Sequence, residues 1–278
     1  MKPLSPLKRR AYLILFAALF CAVVPLALLF AGGWQYKSGY GFVQIGGIFV
    51  SVPVSNASIT LNGKEVGVSG FFDRTFYLSD LAPSSYVLQV ERDGYYAWSR
   101  TIVVEPQIVT VATVVMVPKD IRAVRLVSAT QTPVASTSRA VSAAEYRALL
   151  AAFDIAATSS VARGGTVSGA LLSVEDGDVL LKWPHEDRRP PDNFCGRPSF
   201  CASEIELEGD RPIATSAVFF GDGVVYATRT GGIFFTDPDI RPTQLVVPLY
   251  AHGGTDVRVV GGRLIVHDED ELYEIEGL

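Results

Sequence analysis

Side chains that carry chemistry are scarce in this chain of 278 residues. It holds three histidines, His185, His252 and His267, and three cysteines, and neither type falls at ligand spacing: C-x-x-C and H-E-x-x-H are both absent. That argues against a zinc site. A nucleophilic serine on a G-x-S-x-G elbow is missing too, because Gly165, Ser168 and Gly169 stand at the wrong spacing. Gly39 and Gly41 lack the third glycine and the following helix of a dinucleotide loop, and no Walker loop occurs. Only 19% of residues are charged. Four of the acids, Asp268, Glu269, Asp270 and Glu271, form a run without the alternating ligands and central glycine of a calcium loop, which reads as a solvated turn. No catalytic residue, cofactor or metal is therefore expected, and the chain is read as a non-enzyme.

What the sequence does have is one long uncharged run. Residues 11–31 read AYLILFAALFCAVVPLALLFA, which at helical rise spans about 31 Å, enough for a bilayer core. Much of the positive mean hydropathy of +0.28 comes from this segment. Lys2, Lys8, Arg9 and Arg10 precede it, and the next basic residue is Lys37. Positive charge stays cytoplasmic, so residues 1–10 are expected inside, residues 11–32 in the membrane as a signal-anchor, and the rest outside the cytoplasm. A cleaved signal peptide is the alternative, with Ala31, Gly32 and Gly33 as the small residues at the cut, although the run exceeds a usual signal core. Pro25 is tolerated within a membrane helix. Beyond residue 10 lie all 29 acidic groups and 20 of the 24 basic ones. That acidic balance leaves no footprint for nucleic acid.

From Ile48 onward the pattern alternates with period two and is broken by glycine and proline, so the fold class is mainly β. Asn62 and Gly63 supply the two positive-φ positions of a tight hairpin turn. The run Ser51-Val52-Pro53, then Ala57-Ser58-Ile59-Thr60-Leu61-Asn62-Gly63, then Gly67 resembles the opening of a PEGA domain. Leu81, Ala82, Pro83, Ser84 and Tyr86 stand where that family has its leucine-proline-glycine-x-tyrosine turn, and Asp93-Gly94-Tyr95, Trp98 and residues 101–104 resemble its later half. Ser69-Gly70 replaces the usual threonine-proline, and Ser84 the usual glycine. The resemblance implies a small β-sandwich over residues 47–118, a non-catalytic module of bacterial envelope proteins. Tyr96 and Trp98 are two apart and would share one strand face. That face is either core or a candidate ligand face.

Residues 119–165 read as a linker, rich in serine, threonine and alanine over 129–141, with a short helix near 143–153 for which Ser142 is the N-cap and Glu145 its partner. Residues 166–278 are again β, with turns at Asp176-Gly177, Asp222-Gly223, Gly231-Gly232 and Gly261-Gly262. This antiparallel meander resembles propeller blades and, less specifically, the carboxyl-terminal region that accompanies PEGA modules. A closed propeller needs at least four blades, or about 160 residues, so an incomplete propeller-like sheet or a sandwich is expected.

The function expected is a membrane-anchored extracytoplasmic structural or binding protein of the cell envelope. Its expected partners are the lipid bilayer, through residues 11–32, and an unidentified envelope protein or surface polymer. The alternative is an extracytoplasmic enzyme whose site is assembled from scattered residues. Cys21 lies in the apolar run, which leaves Cys195 and Cys201 as a disulfide candidate in a proline-rich loop. Closing so short a loop contributes about 2 kcal/mol on the chain-entropy model. In the exported protein neither thiol should take an alkylating label before reduction, by non-reducing mass spectrometry. Protease added to intact spheroplasts should digest the region beyond Lys37.

Overall fold

The computed structural model describes residues 6–129, 138–154, 159–161, 168–207, 213–242 and 244–278. Most of the serine- and threonine-rich stretch, residues 1–5 of the amino-terminal tail and the expected boundary at residue 166 lie outside these. Helix α1 (Pro6–Ala31) buries none of its residues. It is long and apolar enough to cross a membrane, and solvent-facing leucine and phenylalanine on every side suit lipid rather than water. A hairpin follows, β1 (Trp34–Lys37) and β2 (Gly41–Gln44).

The next seven strands make a two-layer module: β3 (Gly46–Ser51), β4 (Ser58–Leu61), β5 (Lys64–Val68), β6 (Thr75–Leu81), β7 (Ser84–Glu91), β8 (Trp98–Val104) and β9 (Val109–Thr113). One sheet has the order β5-β4-β7-β8 and the other β6-β3-β9. Asn62 and Gly63 take φ of 50° and 76°, as the tight β4–β5 turn requires, and the Asn62 Oδ1 accepts the Val87 amide at 2.8 Å. Ile48, Val50, Ile59, Leu88, Val90, Trp98 and Ile102 fill the space between the layers.

The rest is three stacked meanders. β10 (Arg122–Ser128), β11 (Ser138–Val141), helix α2 (Ala143–Ala151) and β12 (Ser159–Val161) lead into β13 (Leu171–Glu175) and β14 (Asp178–Lys182). A 3-10 turn (Asp192–Phe194) and the small ribbon β15 (Cys195–Arg197) and β16 (Phe200–Cys201) precede β17 (Glu204–Leu207). Then come β18 (Ala214–Phe220), β19 (Gly223–Thr228), β20 (Gly232–Thr236), β21 (Val246–Tyr250), β22 (Asp256–Val260), β23 (Arg263–Asp268) and β24 (Glu271–Glu276). The sheets are β12-β13-β14-β17, β18-β19-β20-β21 and β11-β10-β24-β23-β22. Residues 122–141 were expected to be linker. Instead β10 pairs antiparallel with β24 and, with β11 on its other side, extends the last sheet to five strands.

The middle sheet is covered on both faces. Val224 and Tyr226 of β19 enter the core shared with the first sheet, while Val225 and Ala227 enter the core shared with the third. Every residue of β19 is buried, which is why its sequence reads as a continuous apolar run rather than an alternation. The two ends of the stack differ. The outer face of the first sheet is polar, with Lys182 paired to Glu175 and Glu204. The outer face of the third is apolar at Leu126, Ile265 and Leu272, and α2 covers it with Leu149. Ser142 caps that helix by accepting the Glu145 amide at 3.1 Å.

Four charges fasten α2 and β11 to the third sheet. Arg263 reaches Glu145 at 2.7 Å and Glu274 at 2.6 Å, and Arg139 reaches Glu274 at 2.7 Å. Hydrogen bonds from Arg263 hold the Glu274 carboxyl below its ordinary 4.5. A lowered carboxylate stabilises the fold above its ordinary value and stops doing so as pH falls through its folded one. Acidification below about pH 4 should therefore speed amide exchange in α2, after correction for intrinsic rates, and Glu274→Gln should remove most of that pH dependence. Leu149→Ala should cost about 2–5 kcal/mol in urea unfolding.

Candidate functional site

The strand β8 buries every second residue, Trp98, Arg100, Ile102 and Val104. It is the edge of its sheet, β9 is the edge of the other, and the seam between them is filled from outside the module by the loop after β20. There the Trp98 Nε1–H donates to the Asp237 Oδ2 at 2.9 Å, and Arg100 pairs with the same carboxylate. The Asp237 Oδ1 accepts the Asp239 amide at 2.8 Å. Asp239 in turn accepts from Arg241 Nε at 2.8 Å, and Arg241 Nη1 donates to the free-edge carbonyl of Val111 on β9 at 3.1 Å. All four charged residues are buried, and their signs balance. Burial pushes the Asp237 carboxyl up, Arg100 pulls it down, and the Asp239 charge pushes it up again; the net direction is upward.

The disulfide ribbon abuts the same seam. Cys195 and Cys201 are bonded to each other, and β15 lies against β8. Ser199 Oγ donates to Glu105 Oε1 at 2.7 Å, and the Asn193 carbonyl accepts the Ile240 amide at 3.0 Å. Cys21 is a free thiol on α1.

The face expected to carry Tyr96 and Trp98 is not open. Trp98 is 0% exposed, and its indole N–H is spent on Asp237, so no ligand can stack on it. The physical reason is that β8 begins only at Trp98. The preceding residues form a turn with Gly94 at φ 80°, and Tyr95 bridges to Pro118, so strand alternation does not extend back to Tyr96. Tyr96 is half-buried, with Lys119 over its ring at 6.0 Å.

That turn opens a groove of about 520 Å³ at the end of the four-stranded sheet, lined by Asn56, Ser58, Glu91, Arg92, Asp93, Tyr95 and Lys119 among others. The Arg92 guanidinium stacks over the Tyr95 ring at 4.7 Å. Lys119 is positioned by its backbone N–H, which donates to the Gly94 carbonyl at 2.8 Å. The groove thus combines an aromatic plate, both signs of charge and an amide, a chemistry suited to a polar ligand. Period-two reading could not find it, because the turn at Asp93-Gly94 resets which side chains face together. The Asp-Gly pair amid charged and aromatic residues was the available signal.

A second polar cluster joins Tyr250, His252 and Asp268. Tyr250 Oη donates to Asp268 Oδ2 at 2.7 Å, and His252 Nδ1 lies 2.8 Å from the same oxygen. Both groups converge on one carboxylate oxygen at the edge of a hairpin turn, and His252 is largely exposed. Among the described residues no hydroxyl or thiol nucleophile is bonded to its Nε2. Glu271 of the acidic run pairs with Arg125. No three His, Cys, Asp or Glu side chains converge as a metal site among the described residues.

Residues 45–120 match the family model of the PEGA domain, which covers the two-layer module and its exit. Residues 45–120 thus form a PEGA domain, with a long apolar helix before it and meander sheets after it. No curated protein matches the chain.

Removing one member of a buried ion pair strands the other. Asp237→Asn should therefore lower unfolding free energy by about 3–5 kcal/mol. Arg100→Met combined with Asp237→Asn should recover part of that loss, measured as the coupling energy of a double-mutant cycle in urea.

Proposed function

We propose that this is a non-enzymatic, membrane-anchored protein whose β-domains stand outside the cytoplasm and whose PEGA groove binds a polar partner, an envelope protein or a surface polymer. The observation that carries this reading is the groove itself. It presents Tyr95 stacked on Arg92 beside Glu91, Asp93 and Asn56, and tyrosine and arginine are favoured anchors in binding sites.

Its place in the fold supports the reading. Ser84, at one end of β7, meets Tyr40 of the hairpin that follows the helix, at 3.4 Å. The groove sits at the other end of β7, near Glu91. Eight strand residues separate the two ends by roughly 23 Å, so the groove lies at the end of β7 far from the hairpin that follows the helix. Phe71 and Phe72, on the β5–β6 connection, form an exposed edge-to-face pair 4.9 Å apart, three residues beyond the groove's Val68. Basic flanks on one side of α1 favour a cytoplasmic amino terminus, and the Cys195–Cys201 bond suits an oxidising compartment.

The full chain, solubilised from its native envelope, should retain a stoichiometric protein or glycan partner. Arg92→Ala with Tyr95→Ala should lower recovery of that partner about tenfold or more while leaving the melting temperature within a few degrees. Undiminished recovery would remove the groove from the proposal. Turnover in an activity screen, abolished by a single side-chain change, would favour the enzyme alternative.

A further inference from the structure

Four aromatic side chains follow α1 closely: Trp34, Tyr36, Tyr40 and Phe42. In the β1–β2 hairpin Tyr36 stands opposite Phe42 in register, the two rings edge to face at 5.5 Å. Strand alternation puts Trp34, Tyr36 and Phe42 on one face of the ribbon and Gln35, Lys37 and Val43 on the other. The second face is fastened. The Gln35 amide donates to Asp80 Oδ1 at 2.9 Å, and Gln107, from the β8–β9 connection, donates to the Gly32 carbonyl at 2.9 Å. The hairpin also returns to the helix end, where the Ile45 amide donates to the Gly33 carbonyl at 3.0 Å. The first face is bare: Tyr36 is 69% exposed and Phe42 72%.

A two-stranded hairpin alone is marginal in water, and one that bares three large aromatics has a poor surface for solvent. The reach of the chain says what can cover it. Trp34 is three residues beyond Ala31, at most about 10 Å of extended chain, which places it within the headgroup zone of any bilayer that α1 crosses. Tyrosine and tryptophan concentrate at that depth. The hairpin's one charge, Lys37, belongs to the opposite face.

We propose that the Trp34–Tyr36–Phe42 face lies flat on the phospholipid interface at the carboxyl end of α1. Gln35, Gln107 and the Gly32 carbonyl then transmit that contact to the PEGA domain and hold it at a fixed attitude to the membrane. The proposal rests on α1 being an uncleaved anchor.

The test uses the full chain in phosphatidylcholine vesicles, with and without bromine on the upper acyl chain. Trp34→Phe leaves Trp98, which is buried, and Trp183, which is in the distant first meander, as background. In that variant Phe42→Trp, or independently Tyr36→Trp, should lose about twofold of the added emission in brominated vesicles, the quench expected of an interfacial ring. Lys37→Trp on the opposite face should lose much less. Equal quenching on both faces, or none at residues 36 and 42 in a chain that resists carbonate extraction, overturns the proposal and leaves the anchor standing. Release of the chain by carbonate overturns the anchor and the proposal together.

Discussion

The carboxylate of Asp237 is the point on which the two halves of the molecule depend. It accepts from the Trp98 indole and pairs with Arg100, both on the edge strand of the PEGA domain, yet it belongs to a loop of the middle meander. A sandwich of two sheets has open seams where its edge strands fail to meet, and unpaired edges need cover. Here the cover is charged. An arginine in the middle of an otherwise apolar strand face is tolerable only because Asp237 and Asp239 arrive from elsewhere in the chain, and Arg241 then returns the balance to neutral while binding the edge of β9. The result is specificity of docking rather than gross stability: an apolar patch would tolerate many orientations, whereas these opposite charges meet their partners in one.

Much of the fold was legible. Asn62-Gly63 encodes its turn locally, because only a residue pair tolerant of positive φ closes a two-residue hairpin. Ser142 and Glu145 mark the start of α2 in the same local way. The short apolar face of that helix, Leu149 with Tyr146 and Phe153, required a neighbour, and the third sheet supplies it. What could not be read was partnership at a distance. Nothing in residues 122–128 announces that their partner lies at 272–276, and the flanking serine- and threonine-rich stretch made them look like linker. The buried face of β19 was likewise ambiguous, since a run of apolar residues states burial on both sides without saying against what.

The site followed the same division. Cys195 and Cys201 pair because short sequence separation keeps them close, a local matter. Trp98 is core, one of the two readings open to its face, and a turn rather than a strand connects it to Tyr95. Tyr95 lines the groove, and Trp98 closes the core. Side-chain type alone placed both among the interesting residues, and backbone geometry decided which of them meets solvent.

The pairing of β10 with β24 also bears on how the chain comes to be folded. A polypeptide is made amino end first, so β10 emerges with about 150 residues still to follow before its neighbour exists, and closure over such a separation is slow. During that interval the edge of β10 that β24 will pair with is uncovered, a hazard for association with other nascent chains. The last sheet is finished by residues 271–276. Without residues 271–276, β10 would lack its antiparallel partner and α2 would lose Leu272 from the surface on which Leu149 rests, so two stretches made far apart in time settle together or not at all.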